Sequence, residues 1–315
     1  MTTLSINRER IFPDQDSSTQ MEKLQITESK SDSNNSNLFN RVIQIIIDLV
    51  AIIIVFIAFL LVYLLMKPYV GFFYCNDTDI FYPYRKDTVE IWVVSVYGVL
   101  GPIIFMVFTE LKNSKIIGFR RANSTTNNRS KIRVFFICFF HAMSLFLLGI
   151  AITLLLTEIG KRWIGRLRPH FIDVCKPDLS KLNCTTNTIS GLIYNRIYTG
   201  NGFCTGEEKD VNEARLSFPS GHSSFSCYTM AFLMLYIEAR LRLLRFRHVK
   251  ALIQLLAFIA AFITCISRIS DYHHRGSDVI GGAVLGVFVA ILAGKVAGRV
   301  LWTYNVGNKR CEFES

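Results

Sequence analysis

Long apolar runs separated by polar connections limit what this chain can fold into. An α-helix needs about 20 apolar residues to cross the hydrocarbon core of a membrane. Runs of this kind predict six crossings, and the fourth is the weakest because Glu238 and Arg240 interrupt it. The predicted crossings are residues 42–66, 91–108, 135–157, 223–236, 251–266 and 279–302. The sequence therefore predicts an all-α integral membrane protein with six transmembrane helices.

The composition supports this class. Of the 315 residues, 51% are hydrophobic, and the mean hydropathy is +0.33. A net charge of +11 would suggest a nucleic-acid partner in a soluble protein. Here the basic residues cluster beside the apolar runs, where they orient the helices and contact anionic lipid. We therefore predict the bilayer as a partner and no nucleic acid.

Basic residues also predict the orientation of the helices. Seven Lys and Arg residues lie between positions 112 and 133, and five lie between positions 240 and 250. Short connections that are rich in Lys and Arg stay in the cytoplasm. These two connections and both chain ends are therefore predicted to be cytoplasmic, which places the other connections on the extracytoplasmic face.

The chain divides into a membrane domain and two tails. Residues 1–39 are rich in Ser, Asn, Gln and charged residues, so they cannot bury a core and are predicted to be a disordered cytoplasmic tail. The first apolar run is too long for the core of a signal peptide and is predicted to stay as a helix. Residues 40–305 form the membrane domain, with a long outer connection over residues 160–219, and residues 306–315 form a short cytoplasmic tail.

The predicted outer connections contain residues that suit an oxidising compartment. Their cysteines are Cys75, Cys175, Cys184 and Cys204. Four thiols allow three pairings, among which the sequence does not choose. Sequons make Asn76 and Asn183 glycosylation candidates. Tyrosines of the first outer connection, Tyr82 and Tyr84 among them, favour an aromatic belt at the membrane interface.

Three polar segments meet at the extracytoplasmic face if the crossings alternate as predicted. One follows the third crossing, one precedes the fourth, and the third lies between the fifth and sixth as residues 267–278. Their chemically informative residues are Lys161, Arg168, Ser220, Gly221, His222, Arg268, His274 and Asp278. Neighbouring helix ends would hold these residues together in one site.

The residue types in these segments suit a phosphate ligand. Arginine and lysine supply positive charge, and the start of the fourth helix, at Ser220 and Gly221, would turn free backbone N–H groups toward an anion. Asp278 follows His274 by four residues, so its carboxylate can hold one imidazole nitrogen and leave the other free. Each residue alone has a simpler reading: Lys161 can snorkel to the interface, and Asp278 can cap a helix.

The three segments together resemble a known family signature. Lys161 is followed by six residues and Arg168-Pro169; Pro219-Ser220-Gly221-His222 comes next; and Ser267-Arg268 precedes His274 and Asp278 at intervals of five and three residues. This pattern resembles the type-two phosphatidic acid phosphatase superfamily. Residues 164–171 and 217–226 are similar more narrowly to the animal lipid phosphate phosphatases, and the resemblance covers residues 40–305.

The resemblance implies a metal-independent phosphohydrolase that needs no cofactor. Its substrates would be lipid phosphate monoesters such as phosphatidate, lysophosphatidate, sphingosine phosphate and ceramide phosphate. His274 would attack phosphorus and form a phosphohistidine, Asp278 would fix the His274 tautomer, and His222 would protonate the leaving oxygen. The residues implied in phosphate binding are Lys161, Arg168, Ser220, Gly221 and Arg268.

Two alternatives remain open at the level of sequence. One is a non-catalytic relative that binds lipid and signals, and the other is a lipid phosphotransferase of the same fold. The expected location is the plasma membrane with the active site outside, and an internal membrane with a lumenal site is the alternative. The sequence also leaves open whether the protein forms homo-oligomers.

Overall fold

A computed structural model describes most of the chain. The described residues are 42–74, 77–120, 128–178, 180, 187–189, 192–194, 196–198, 201–240 and 247–303. The predicted tails, residues 1–39 and 306–315, lie outside them. The chain divides into two compact units, Met1–Leu49 and Val50–Ser315, and of the first only the start of a helix is described.

Eight α-helices form the described framework. They are α1 Val42–Leu65, α2 Ile91–Arg120, α3 Asn128–Ile164, α4 Phe171–Cys175, α5 Glu208–Glu213, α6 Gly221–Arg240, α7 Arg247–Ser270 and α8 Gly276–Thr303. Four strands of three residues lie in the outer connections: β1 Phe72–Tyr74, β2 Asn187–Ile189, β3 Leu192–Tyr194 and β4 Arg196–Tyr198. β1 pairs antiparallel with β4, and β2 pairs antiparallel with β3.

The structure confirms an all-α membrane framework, with the short strands as an unpredicted addition. Among the described residues, five helices are long and apolar enough to cross a bilayer: α1, α2, α3, α7 and α8. α6 is not one of the five, although it packs against α2, α3, α7 and α8. Its own polar residues Ser223, Ser224, Ser226 and Thr229 are all buried. A helix enclosed by others does not need a lipid-facing apolar surface.

Close packing of α8 against α6 sets the centre of the bundle. A Cβ at Gly282 would stand 2.5 Å from the Ser220 carbonyl oxygen, and one at Gly286 would stand 2.2 Å from the Ser224 carbonyl oxygen. Both distances are below any real Cβ contact, so only glycine permits this approach. An apolar core that includes Phe146, Tyr228, Phe232 and Val289 fills the space around this contact.

A buried ion pair explains why charge interrupts the end of α6. Arg240 donates to both carboxylate oxygens of Glu110 on α2, at 2.9 and 2.7 Å, and the Tyr236 hydroxyl donates to the same carboxylate at 2.6 Å. Paired and hydrogen-bonded charges are tolerated inside a protein where an isolated charge is not. α6 therefore continues to pack against α2 as far as Arg240, although this residue is charged.

A small outer layer lies over the ends of the helices. Phe171 of α4 and Val211 of α5 share an apolar cluster with Phe73 of β1 and with Phe203. A disulfide joins Cys175 to Cys204 within this layer. It selects one of the open pairings, whereas Cys75, Cys184 and the sequons at Asn76 and Asn183 lie outside the described residues.

We expect Gly286→Ala to destabilise the protein, because the new methyl group would push α8 away from α6. Overpacking of this kind costs about 1–3 kcal/mol, which should appear as a lower melting temperature in detergent. Gly101→Ala on α2 is the matched control, since a Cβ there meets no atom within 4 Å. Equal melting temperatures for the two variants would contradict the close contact between α6 and α8.

Candidate active site

A cavity of about 620 Å³ opens where the C-terminal end of α7 lies near the N-terminal end of α6. Arg168 from the connection after α3, His222 from α6, and Arg268 and His274 from the α7–α8 region all line it. The three polar segments of the sequence therefore come together in space. Among the described residues that line this cavity, Lys161, Ser220, Gly221 and Asp278 are missing.

The imidazole of His274 is held by backbone, and not by Asp278. Its Nδ1 lies 2.7 Å from the carbonyl oxygen of Ser217, and the ring is buried. The predicted direct contact between Asp278 and this imidazole is therefore wrong. A spacing of four residues puts two side chains on one face only within a helix, whereas α8 begins at Gly276, after His274.

Asp278 is connected to His274 by hydrogen bonds through Ser217. Its Oδ2 accepts a hydrogen bond from the Ser217 hydroxyl at 2.6 Å and another from the Arg275 N–H at 3.0 Å. Its Oδ1 accepts from Arg166 Nη1 at 2.7 Å. Ser217 thus presents its carbonyl to His274 and its hydroxyl to Asp278, so the carboxylate could position the imidazole only through Ser217. Sequence reasoning gave Ser217 no role, and no separate signal marks it.

These contacts determine the protonation of His274. A carbonyl oxygen only accepts hydrogen bonds, so Nδ1 carries the proton and Nε2 keeps a lone pair. Burial, together with the positive charges of Arg168 and Lys161, lowers the pKa of His274 well below its usual value. The ring is therefore neutral near pH 7, with Nε2 able to act as a nucleophile or a base.

His222 supplies a second imidazole from the first turn of α6. Its buried Nε2 has no hydrogen-bond partner among the described residues, although the residue lines the cavity. A buried polar atom without a partner is costly, so this nitrogen is suited to a ligand.

The backbone N–H of Ser220 is not free to bind an anion. It donates to the carbonyl oxygen of Asp278 at 3.0 Å, so the prediction of a free N–H at this position is wrong.

The predicted cations differ in how far they are already engaged. Lys161 Nζ lies 2.8 Å from Glu158 Oε1, and it stands 3.2 Å from where a Cβ of Gly221 would be, so glycine leaves room for the ammonium group. Arg168 contacts Glu213 at 3.2 Å, and its buried Nε has no partner among the described residues. Both residues keep donors that could turn to an anion.

Arg268 is the most constrained of these cations. Its side chain is 1% exposed, and it forms ion pairs with Asp87 at 2.8 Å and Asp271 at 3.1 Å. It also donates to the carbonyl oxygen of Val89 at 2.9 Å. The first outer connection is therefore bound directly to the residue that was predicted to hold phosphate.

The connection between α1 and α2, called the first outer connection, supplies cavity residues that the sequence did not reveal. Asp87 and Tyr84 line the cavity, and the Tyr84 ring packs edge-on against His170 and His273. Tyr82 stacks on Tyr272 with ring centroids 4.7 Å apart. Both tyrosines stay partly exposed, at 40% and 55%, so the interfacial aromatic belt stays a prediction. No motif marks this connection, because its contacts are with residues more than 80 positions away.

The cavity has a cationic inner part and an acidic outer rim. Arg168, Arg268 and the two imidazoles form the inner part, and the rim carries Asp173, Glu207, Asp210 and Glu213. No group of three or more His, Cys, Asp or Glu among the described residues is arranged to hold a metal ion. The inner part can bind a tetrahedral anion between arginine side chains and place it beside two imidazole nitrogens.

Known proteins share this chain's pattern over most of its length. The family model described as "PAP2 superfamily" matches residues 142–302, which contain all eight predicted site residues. "Phospholipid phosphatase 1" of Rattus norvegicus is 38% identical over 224 residues, covering 70% of this chain and 72% of the relative. "Phospholipid phosphatase 2" of Homo sapiens is 35% identical over 236 residues, covering 73% and 74%.

Two further proteins are similar at greater distance. The "Putative phosphatidate phosphatase" of Drosophila melanogaster is 32% identical over 242 residues, covering 74% of this chain and 62% of the relative. The crystal structure of a transmembrane PAP2-type phosphatidylglycerolphosphate phosphatase from Bacillus subtilis is 16% identical. It covers 66% of this chain and 100% of its own, with a TM-score of 0.33.

We expect inorganic phosphate to bind in this cavity and to raise the melting temperature of the detergent-solubilised protein. Phosphate at ten times its Kd should stabilise the folded state by about 1.4 kcal/mol. Arg168→Gln should weaken phosphate binding about tenfold or more, because a charged donor is lost. Lys250→Gln, whose partner Glu238 lies at the other end of α6, is the control. A phosphate-dependent shift that is the same in both variants would contradict anion binding at Arg168.

Proposed function

The chain belongs to the PAP2 superfamily, and on this premise we propose that it is a phosphohydrolase that cleaves lipid phosphate monoesters through a phosphohistidine. The observation that carries the proposal is the orientation of His274. Its Nδ1–H is anchored on the Ser217 carbonyl, and its residue lines the same cavity as His222, Arg168 and Arg268. A nucleophile, a second imidazole and two cations thus share one space.

In the first step, His274 Nε2 attacks the phosphorus atom. The N–P bond forms as the bond between phosphorus and the substrate oxygen breaks, and His222 gives a proton to that departing oxygen. Because burial lowers the pKa of His222 to about 4, the ring would take up this proton when the negatively charged phosphate binds beside it. The product is a lipid alcohol. The positive charge that grows on the His274 ring is balanced by the Ser217 carbonyl, which the Asp278 carboxylate holds in place.

In the second step, water replaces the lipid alcohol. His222, now neutral, takes a proton from water as the oxygen attacks phosphorus, and the N–P bond breaks. Inorganic phosphate leaves and both imidazoles return to their starting states. Arg168, Arg268 and Lys161, with backbone N–H groups at the start of α6, would stabilise the negative charge on the phosphoryl oxygens in both steps. No metal or cofactor enters either step.

Membrane placement favours lipid substrates. The cavity lies at the ends of helices whose middle parts expose large apolar side chains, such as Ile104 of α2 and Phe288 of α8. An acyl chain can therefore stay in the bilayer while its phosphate reaches the cavity. The names of the relatives agree with this, since they refer to phospholipids and phosphatidate. Phosphatidate, lysophosphatidate, sphingosine phosphate and ceramide phosphate are the proposed substrates.

We propose that the cavity opens to the extracytoplasmic side of the plasma membrane. The Cys175–Cys204 disulfide lies beside it, and disulfides persist in oxidising compartments. The opposite helix ends connect through basic segments, as expected for cytoplasmic loops. Residues 1–39 and 306–315 would then be cytoplasmic tails around the domain of residues 40–305, and Asn76 and Asn183 would face the glycosylating compartment.

We expect His274→Ala to lower phosphate release from lysophosphatidate by about a thousandfold or more, as loss of a nucleophile does. The assay uses purified protein in EDTA. His222→Asn should accumulate phosphoenzyme on para-nitrophenyl phosphate, because nitrophenolate departs without a proton whereas water still needs a base. The phosphoenzyme should be labile in acid and stable in alkali, as a phosphoramidate is.

The control for these variants is His248→Ala, an exposed histidine at the other end of α7. Unchanged turnover in His274→Ala would refute the phosphohistidine. Loss of wild-type activity in EDTA would refute metal independence. Appearance of a new phosphorylated lipid in place of inorganic phosphate would identify a transferase.

We expect intact cells that express the protein to dephosphorylate a short-chain lysophosphatidate that cannot cross the membrane. The product should appear in the medium without permeabilisation, because the proposed cavity faces outward. His274→Ala cells at matched expression are the control. Activity that appears only after permeabilisation would contradict the cell-surface placement and would favour an internal membrane.

A further inference from the structure

Asp87 is a carboxylate inside a cavity that otherwise collects cations at its inner end. It lies in the first outer connection, just before α2. Its Oδ1 accepts a hydrogen bond from Arg268 Nη1 at 2.8 Å. It also lies 2.9 Å from His273 Nε2, whose single N–H it shares with the carbonyl oxygen of Arg85. Asp87 therefore shares the cavity with the proposed nucleophile, His274.

The neighbours of Asp87 hold it firmly in this position. The Thr88 backbone N–H and hydroxyl both donate to Asp271, at 2.8 and 2.6 Å. The carbonyl oxygen of Val89 accepts from Arg268, and that of Arg85 accepts from His273 at 2.9 Å. Bonds on both sides of Asp87 thus tie the chain to the turn between α7 and α8, and the carboxylate has a fixed orientation.

The second carboxylate oxygen of Asp87 is the informative one. No residue in the described part of the chain donates a hydrogen bond to Oδ2. The side chain is 32% exposed and lines the cavity. The hydrogen bond from His273 is the largest of the effects that keep the pKa of Asp87 well below its usual value, so the group is ionised near pH 7. An ionised oxygen that faces a cavity without a donor requires one from water or from a ligand.

The other carboxylates near the cavity do not share these properties. Asp271 is 4% exposed and uses both oxygens on Thr88 and Arg268. Asp173 accepts from the Tyr84 N–H, and Glu213 binds Arg168 at the rim with its side chain 59% exposed. Asp87 alone of these four combines a fixed orientation, contact with Arg268 and an oxygen that accepts no hydrogen bond.

We propose that Asp87 is a specificity-determining residue whose free oxygen accepts a hydrogen bond from a hydroxyl or amine group beside the substrate phosphate. This inference rests on the proposed phosphohydrolase function. A carboxylate only accepts, so a substrate that offers only ester or ether oxygens at that position leaves Oδ2 unpaired, at a free-energy cost. Lysophosphatidate, with its free hydroxyl, should therefore be a better substrate than phosphatidate, which offers only an ester at that position.

The variant Asp87→Asn tests the role of the second oxygen separately from the first. Arg268 and His273 both donate, so the amide should present its oxygen to them and keep these contacts. The amide NH₂ then replaces Oδ2 and turns an acceptor into a donor. The contacts around Arg268 are therefore kept, whereas the group that faces the substrate changes from a hydrogen-bond acceptor to a donor.

The experiment compares 1-O-alkyl glycerol 3-phosphates that differ only at carbon 2. The probes carry a hydroxyl, an amine or a methoxy group there, and kcat/KM is measured for each in mixed micelles. The wild type should prefer the hydroxyl probe to the methoxy probe by about tenfold or more, the usual effect of a hydrogen bond to a charged group. Asp87→Asn should abolish this preference. If Asp87→Asn lowers kcat/KM more for the amine probe than for the hydroxyl probe, an ammonium group is the better donor to Asp87. If kcat/KM falls more for the hydroxyl probe, a hydroxyl group is the better donor.

Two control variants distinguish an effect on substrate specificity from an effect on the position of Arg268. Asp210→Asn makes the same chemical change at the outer rim, and its hydroxyl-to-methoxy ratio should equal that of the wild type. Asp271→Asn weakens the support of Arg268 and should slow both probes equally. A wild-type ratio near one, or an unchanged ratio in Asp87→Asn, would overturn the role of Asp87 while leaving phosphohydrolase activity intact. Absence of phosphate release from every probe would overturn the proposed function itself.

Discussion

The close contact between α6 and α8 is the constraint on which the site depends. Glycine at positions 282 and 286 lets the backbones of the two helices touch, and the Ser220 N–H then reaches the Asp278 carbonyl oxygen at 3.0 Å. That contact brings the start of α6, with His222, beside the start of α8. The turn that carries His274 follows from it, because this turn ends where α8 begins. A side chain at either glycine would push α8 away from α6 and so move His222 and His274 apart, although it would contact neither imidazole.

Charge pairing is the second organising element, and it allows a cationic cavity to exist in a folded membrane protein. Lys161, Arg168 and Arg268 would repel one another if each stood alone in a region of low dielectric constant. Glu158, Glu213 and Asp87 each offset one of them. Because removal of one partner from a buried pair is costly, such networks also position the charged groups. The same carboxylates partly neutralise these three cations when no ligand is bound.

The outer connections convert this framework into a substrate site. Residues 85–89 bind the turn between α7 and α8 through Arg268, His273 and Asp271. α4, α5 and residues next to the disulfide supply further lining residues, including those of the acidic rim. The helices thus hold the groups proposed for the chemistry, whereas the connections hold groups that can distinguish one phosphate monoester from another. This division is common where loops are carried on a rigid scaffold.

The amino-acid sequence by itself determined the membrane class, the helices and the meeting of three polar segments at one face. Those features depend on apolar run length and on alternating crossings, which are local or countable properties. Tertiary structure decided which atoms touch: Ser217 holds His274, Asp278 holds Ser217, and Asp87 holds Arg268. Each of these contacts joins residues 57 or more positions apart, so no spacing along the chain encodes it. Only the packing of helix ends, with hydrogen bonds that must be satisfied once water is excluded, selects such partners.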